Sequence, residues 1–199
     1  MIERLLARLA AALAASRIPY MLIGGQAVLF YGHARLTQDV DVTLGVDTDE
    51  VEAVLAVCRA AKLTPLVKQP SQFARDTHVL PAADELSGLR VDLVFSNTAY
   101  ERQAIKRART ARVGRATVRF AALEDLIIHK LIAGRPIDLD DTRVLLTKPA
   151  PLNTRYIRHW LKAFSMLGTL HHDPLALFQT LAKSSKAARG LRKKLKRQP

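Results

Sequence analysis

The chain has a single cysteine, Cys58, one tryptophan, and 6% aromatic residues among 199. One cysteine excludes an internal disulfide and makes a reducing cytoplasm the expected compartment. No Cys/His cluster has zinc-site spacing, and no Ser–His–Asp set stands out. The adjacent His171 and His172 diverge from one another and read as a surface loop. Long apolar runs are missing as well. Nothing reaches the ~18 uninterrupted apolar residues of a membrane span, so no membrane association is expected. Acidic residues run out toward the end of the chain: within 151–199 only Asp173 is acidic.

What is present is ordinary for a folded domain, with 49% hydrophobic and 25% charged residues, which excludes wholesale disorder. Lys plus Arg number 31 against 18 Asp plus Glu, a net charge of +13. That excess points to polyanionic partners. It is concentrated in two places. Residues 102–119 hold Arg102, Lys106, Arg107, Arg109, Arg112, Arg115 and Arg119 with no acid among them, and the stretch Lys186 to Arg197 is strongly basic.

Ala10 to Ala15 resembles the apolar centre of a signal peptide, but Glu3, Arg4 and Arg8 interrupt it. Ile2, Leu5, Leu6, Leu9 and Leu13 fall at helical spacing, so residues 2–16 are predicted as an amphipathic helix. Strands are predicted at Tyr20–Ile23, Val40–Leu44, Thr77–Leu80, Leu89–Phe95 and Thr117–Phe120. Helices are predicted at Gln26–Tyr31, Asp47–Lys62, Asn97–Arg109, Leu123–Ala133, Ile137–Leu146, Asn153–Leu167 and Pro174–Ala182. The expected fold is α/β (α+β): a mixed sheet with flanking helices and a helical C-terminal part. Residues 1–122 are expected as the sheet domain, 123–185 as a helical part of the same compact unit, and 186–199 as a flexible basic tail.

The run Thr37-Gln38-Asp39-Val40-Asp41-Val42-Thr43-Leu44 is the most informative. Alternate side chains of a strand share a face, so Asp39 and Asp41 point one way and Val40 and Val42 the other. Paired carboxylates repel unless a cation lies between them, and Mg²⁺ favours such oxygen ligands. Asp92 sits in a second apolar strand, where an unpaired charge is costly. Three carboxylates on two strands suit a two-metal phosphoryl or nucleotidyl transfer site. A lone Asp pair of this kind would read as solvating edge charge. Gly24-Gly25 follows a strand and opens a short helix, a geometry that lets backbone N–H groups approach phosphate. On a helical wheel Lys130 falls between Leu126 and Ile127 on the apolar face, and Asp141 lies between Val144, Ile137 and Leu145 with Asp138 at the margin. Such residues form either a buried ion pair or part of a cleft for an anion.

Gly24-Gly25 followed by Arg35-x-Thr37-x-Asp39-x-Asp41 and the later Asp92 resembles the nucleotidyltransferase fold of the polymerase-beta superfamily. Most members carry Gly-Ser at the turn, where this chain has Gly-Gly. Leu123-Glu124-Asp125-Leu126-Ile127-Ile128-His129-Lys130-Leu131, with Gly134-Arg135-Pro136-Ile137-Asp138-Leu139-Asp140-Asp141, is similar to the AbiEii-like (MenT-type) branch, whose members are toxins of bacterial toxin–antitoxin pairs. The branch often has Lys where Ile137 stands.

The resemblance implies a Mg²⁺- or Mn²⁺-dependent enzyme moving a nucleoside monophosphate from a nucleoside triphosphate to a hydroxyl. Asp39, Asp41 and Asp92 are then metal ligands, with Asp92 assisting deprotonation. Gly24, Gly25, Arg35, Thr37 and Lys130 are nucleotide contacts, and Asp138 and Asp141 orient Lys130 or the nucleotide. It also implies an antitoxin partner and the 3′ end of tRNA as acceptor. Arg107, Arg109, Arg112, Arg192, Lys193 and Lys194 are the candidate RNA contacts. The alternatives are a small-molecule (aminoglycoside-type) or protein-modifying nucleotidyltransferase, or a non-catalytic nucleic-acid-binding protein on the same fold.

Overall fold

The structure is a computed structural model that describes the chain except for Arg35, Gln38, Asn97, Ala150 and residues 196–199; for 186–195 it describes backbone alone. Arg35 and the side chains of Arg192, Lys193 and Lys194 therefore lie outside the described residues.

In chain order the elements are α1 (Ile2–Ala15), β1 (Tyr20–Leu22), α2 (Gly24–Phe30), β2 (Asp39–Leu44), α3 (Val51–Ala61), β3 (Leu63–Pro65), α4 (Pro70–Thr77), β4 (Val79–Asp84) and β5 (Arg90–Phe95). They continue with α5 (Ala99–Arg107), β6 (Arg109–Val113), β7 (Ala116–Phe120), α6 (Leu123–Ala133), α7 (Pro136–Leu145), α8 (Thr154–Leu167) and α9 (Pro174–Leu195). Two compact units result: Met1–Phe30 with Ala34–Ala122, and Tyr31–His33 with Leu123–Pro199.

The first unit holds a seven-stranded sheet in the order β3-β4-β5-β2-β1-β7-β6. It is mixed, because β2 runs parallel to β5 and β1 parallel to β7, whereas the other neighbours are antiparallel. Val40, Val42 and Leu44 of β2 and Val91, Leu93 and Phe95 of β5 form a buried face. Their alternation leaves Asp39, Asp41 and Asp92 for the other face. Helix α1 buries Leu5, Leu6, Leu9 and Leu13 and packs on α3 and β7. Each such side chain stabilises the fold by about 1.5–3 kcal/mol. Arg8 ties this helix down: its guanidinium pairs with Asp84, and its Nε donates to the carbonyl of Ala61 at 3.1 Å. Cys58 is buried on α3, which pushes its thiol up to about 12 and leaves no thiolate for chemistry near neutral pH. Thr98 and Glu101 close a capping box that starts α5 two residues into the segment predicted from Asn97.

The second unit is helical among the described residues. Helix α6 is buried on most sides and packs against α7, α8 and α9. Tyr156 on α8 donates to Asp125 Oδ1 on α6 at 2.6 Å. Gly134, at φ +63°, ends α6, and His172 Nε2 lies 2.8 Å from the carbonyl of Leu131 beside it. His172 thus donates to backbone from the loop it was expected to occupy.

Several expectations need correction. Residues 123 onward form a compact unit of their own rather than part of the first. Helix α9 runs on to Leu195, so most of the expected flexible tail has helical backbone. Lys, Arg, Ala and Leu are all good helix formers, which outweighs the charge run. The sequence reading also omitted β3, α4 and β6, and extended one helix to Arg109, where β6 in fact begins.

His129, half-buried on α6, predicts an acid-sensitive fold. Burial pushes its imidazole down to about 4 from its ordinary 6.5. The folded state thus favours the neutral ring, and the contribution is complete above the unfolded pKa and lost as pH falls toward the folded one. Between about pH 7 and pH 5 the wild type should lose about 2 kcal/mol of unfolding free energy to this group. Urea titrations at the two pH values should show this loss, and H129L should remove most of the difference.

Candidate active site

The parallel register of β2 and β5 places Asp39 opposite Arg90, Asp41 opposite Asp92, and Thr43 opposite Val94. Partners on parallel strands point to the same side, so Asp39, Asp41 and Asp92 stand together on one face. Two carboxylates on facing rungs repel one another. Arg90 offsets part of this, with its Nε 2.9 Å from Asp92 Oδ1 and 3.0 Å from Asp92 Oδ2. The hydrogen bond to Asp92 pushes the Arg90 pKa up, and the negative charges of Asp39 and Asp41 add to it. Sequence alone assigns Arg90 no role. Its place two residues before Asp92, and hence on the same face, was the signal available.

The glycine turn meets these carboxylates directly. Gly24 sits at φ +61°, a conformation other residues resist. A Cβ at Gly24 would lie 1.8 Å from Asp41 Oδ2. Position 24 therefore requires glycine twice over, for its backbone and for the approach of Asp41. Position 25 is similarly closed, since a Cβ there would lie 2.3 Å from Thr37 Oγ1. Thr37 Oγ1 is in turn 3.1 Å from Asp39 Oδ1. Thus Gly24, Gly25, Thr37, Asp39, Asp41 and Asp92 are brought into one neighbourhood of the first unit.

Among the described residues no group of three His, Cys, Asp or Glu converges tightly enough to enclose a metal unaided. The donor set nevertheless fits Mg²⁺ or Mn²⁺ held jointly with a phosphate-bearing substrate. It consists of carboxylate oxygens on one strand face, and Mg²⁺ takes few protein carboxylates and completes its octahedron with phosphate and water.

In the second unit Lys130, Asp138 and Asp141 form a buried cluster. Lys130 Nζ lies 2.7 Å from Asp138 Oδ1 and 2.9 Å from Asp141 Oδ2. Arg135 Nε reaches Asp138 Oδ2 at 2.6 Å, and His33 Nε2 approaches Asp141 Oδ1 at 3.6 Å. Burial works to raise the Asp138 pKa, but hydrogen bonds from Arg135 and Lys130 prevail and hold it below the usual carboxylate range. Lys130 and Asp141, both on apolar faces, thus pair with each other. Arg135 and His33 join the cluster without having been singled out for it.

The basic stretch divides. Arg109 and Arg112 are exposed on β6, and Arg107 is half-buried at the end of α5. Arg119 is used internally, donating from Nε to the carbonyl of Tyr20 at 3.2 Å and from Nη2 to that of Ile105 at 2.9 Å.

A family profile described as "Nucleotidyl transferase AbiEii toxin, Type IV TA system" matches residues 4–198. No curated protein matches the chain significantly. Among solved structures, the chain is similar to the antibiotic-resistance factor ANT(2'')-Ia, with TM-score 0.60 and 15% identity over 84% of this chain and 95% of that one. It is also similar to an antigenic nucleotidyltransferase-like protein from Paracoccidioides brasiliensis, with TM-score 0.56 and 15% identity over 83% of this chain and 87% of that one. Both likenesses concern the fold.

Two substitutions probe this geometry by stability alone. G24A should cost about 1–3 kcal/mol in urea unfolding, because the added methyl must displace the Asp41 carboxylate. K130M should cost about 3 kcal/mol or more, because it removes the ammonium that Asp138 and Asp141 share in a buried site. A wild-type midpoint for K130M would show that the ammonium is not held in the cluster.

Proposed function

The chain belongs to the AbiEii nucleotidyltransferase toxin family and is a nucleotidyltransferase; from that premise we propose that it transfers a nucleoside monophosphate from a nucleoside triphosphate to a hydroxyl of RNA, with the 3′ end of tRNA as acceptor. The observation that carries this reading is the contact of Asp41 with the Gly24 turn, beside the facing Asp92. It puts an anionic cluster and a close-approach backbone side by side, the combination a metal–triphosphate complex requires.

Asp39 and Asp41 would hold Mg²⁺ or Mn²⁺, with Asp92 beside them. Such an ion, when bound, offsets phosphate charge and positions the oxygens around the α-phosphorus. The remaining work falls to the chain's own groups. The acceptor hydroxyl gives its proton to the Asp92 carboxylate as its oxygen bonds to the α-phosphorus. The bond from that phosphorus to the bridging oxygen breaks, and pyrophosphate leaves. Arg90 restrains Asp92 beforehand and limits its freedom to turn away. Gly24 and Gly25 leave the turn open to phosphate, and Thr37 and Arg35 are further nucleotide contacts. Lys130 would balance developing phosphate charge, with Asp138 and Asp141 setting its position.

Charge favours RNA as acceptor. A chain of net charge +13 repels cationic small molecules and attracts a phosphate backbone. Arg107, Arg109 and Arg112 are the described candidates for that backbone, with Arg192, Lys193 and Lys194 in the C-terminal basic run. The family implies an antitoxin partner, and the lone cysteine agrees with a cytoplasmic setting. No helix among the described residues is long and apolar enough to cross a membrane.

Purified protein incubated with Mg²⁺, total tRNA and each α-³²P nucleoside triphosphate in turn should label tRNA with one of them. D41N should lose at least about 100-fold in rate while its melting temperature stays near that of the wild type, since it removes a repulsion rather than a packing contact. Label appearing on an aminoglycoside or a protein instead would redirect the acceptor. Full transfer by D41N would remove the carboxylate mechanism altogether.

A further inference from the structure

Thr37 stands between the glycine turn and the first carboxylate, and neither neighbour explains it alone. Its Oγ1 lies 2.3 Å, and its Cβ 2.7 Å, from the point where a Cβ on Gly25 would sit. The side chain of position 37 therefore fills the side-chain volume of position 25. These are not the far atoms of a flexible chain, so a substituent at 25 could be admitted only by moving Thr37 itself. The same hydroxyl is 3.1 Å from Asp39 Oδ1 and 3.3 Å from the Asp39 carbonyl. A hydroxyl has one proton to donate, and both acceptors belong to Asp39. Thr37 thus grips the residue that begins β2 while resting against Gly25.

We propose that Thr37 is a positioning residue: its hydroxyl orients the Asp39 carboxylate toward the metal–triphosphate, from a volume that glycine at position 25 leaves vacant. The proposal rests on the reading of Asp39 and Asp41 as metal ligands given above. Groups that hydrogen-bond a ligand carboxylate fix its direction, and their loss weakens metal binding even though they never touch the ion. Position 25 then governs the site from the other side. Any side chain there evicts the hydroxyl, so Gly25 and Thr37 form a matched pair.

The test separates volume from hydrogen bonding and needs no turnover. G25S should lower the melting temperature by roughly 3–10 °C, and adding T37A in the same chain should recover most of it. An undisturbed G25S would overturn the shared volume. Affinity for the Mn²⁺ complex of a non-hydrolysable nucleoside triphosphate, read by equilibrium dialysis, should fall about ten-fold in T37V. T37S, which keeps the hydroxyl, should stay close to wild type. Equal affinity in wild type and T37V would overturn the positioning role while leaving the carboxylate reading in place. Failure of the wild type to bind the Mn²⁺–nucleotide complex would instead overturn that reading, and the inference with it.

Discussion

Two like charges facing each other across parallel strands are the constraint around which the first unit is organised. Asp41 and Asp92 share a rung of the β2–β5 ladder, and the register is not free to change. Slipping it by one residue would turn Val40, Val42, Val91 and Leu93 out of the core and the carboxylates into it. Apolar burial on one face thus enforces electrostatic repulsion on the other. Arg90 relieves part of it, and the glycine turn accepts the Asp41 carboxylate at a distance no other residue would tolerate. Such stored repulsion is a standing demand for a cation, which is how a sheet can favour a ligand before any ligand arrives.

The helical unit shows the opposite use of charge. Lys130, Arg135, Asp138 and Asp141 satisfy each other within two consecutive helices. A buried ammonium has few options, and two carboxylates at hydrogen-bond distance satisfy it without help from solvent. An apolar replacement of the whole group could match its stability; what the charges add is one ammonium held in one place.

The central strands were legible because their period of two is sustained and their apolar face is complete. Asp39, Asp41 and Asp92 stood out for the same reason: a charge in an apolar run is conspicuous. What sequence could not reveal was proximity. Nothing in the string shows that Gly24 touches Asp41 or that Thr37 occupies the space at Gly25, because both contacts depend on how α2 returns along β2. The missed elements share a physical cause. Strand β3 has three residues, and α4 buries only Ala74, so neither carries a face wide enough to leave a pattern. Strand β6 reads as basic because it has little core to serve. Lys130 and Asp141 were legible as core-facing, but their mutual pairing was one of two outcomes until the helices were seen to bring them together.

The two borders of the sheet are guarded by different physics. Strand β3 is short and ends in Pro65, which offers no N–H to an incoming strand, a protection written into covalent structure. Strand β6 relies on exposed Arg109 and Arg112, whose charge deters a second copy from docking edge to edge. Only the latter defence is screened by salt, within about 10 Å at ordinary ionic strength. A polyanion neutralising those arginines would lift it too. Resistance to strand-on-strand aggregation therefore rests on the same few charges that a polyanion would neutralise, and the molecule is best protected from its own kind when that border is bare.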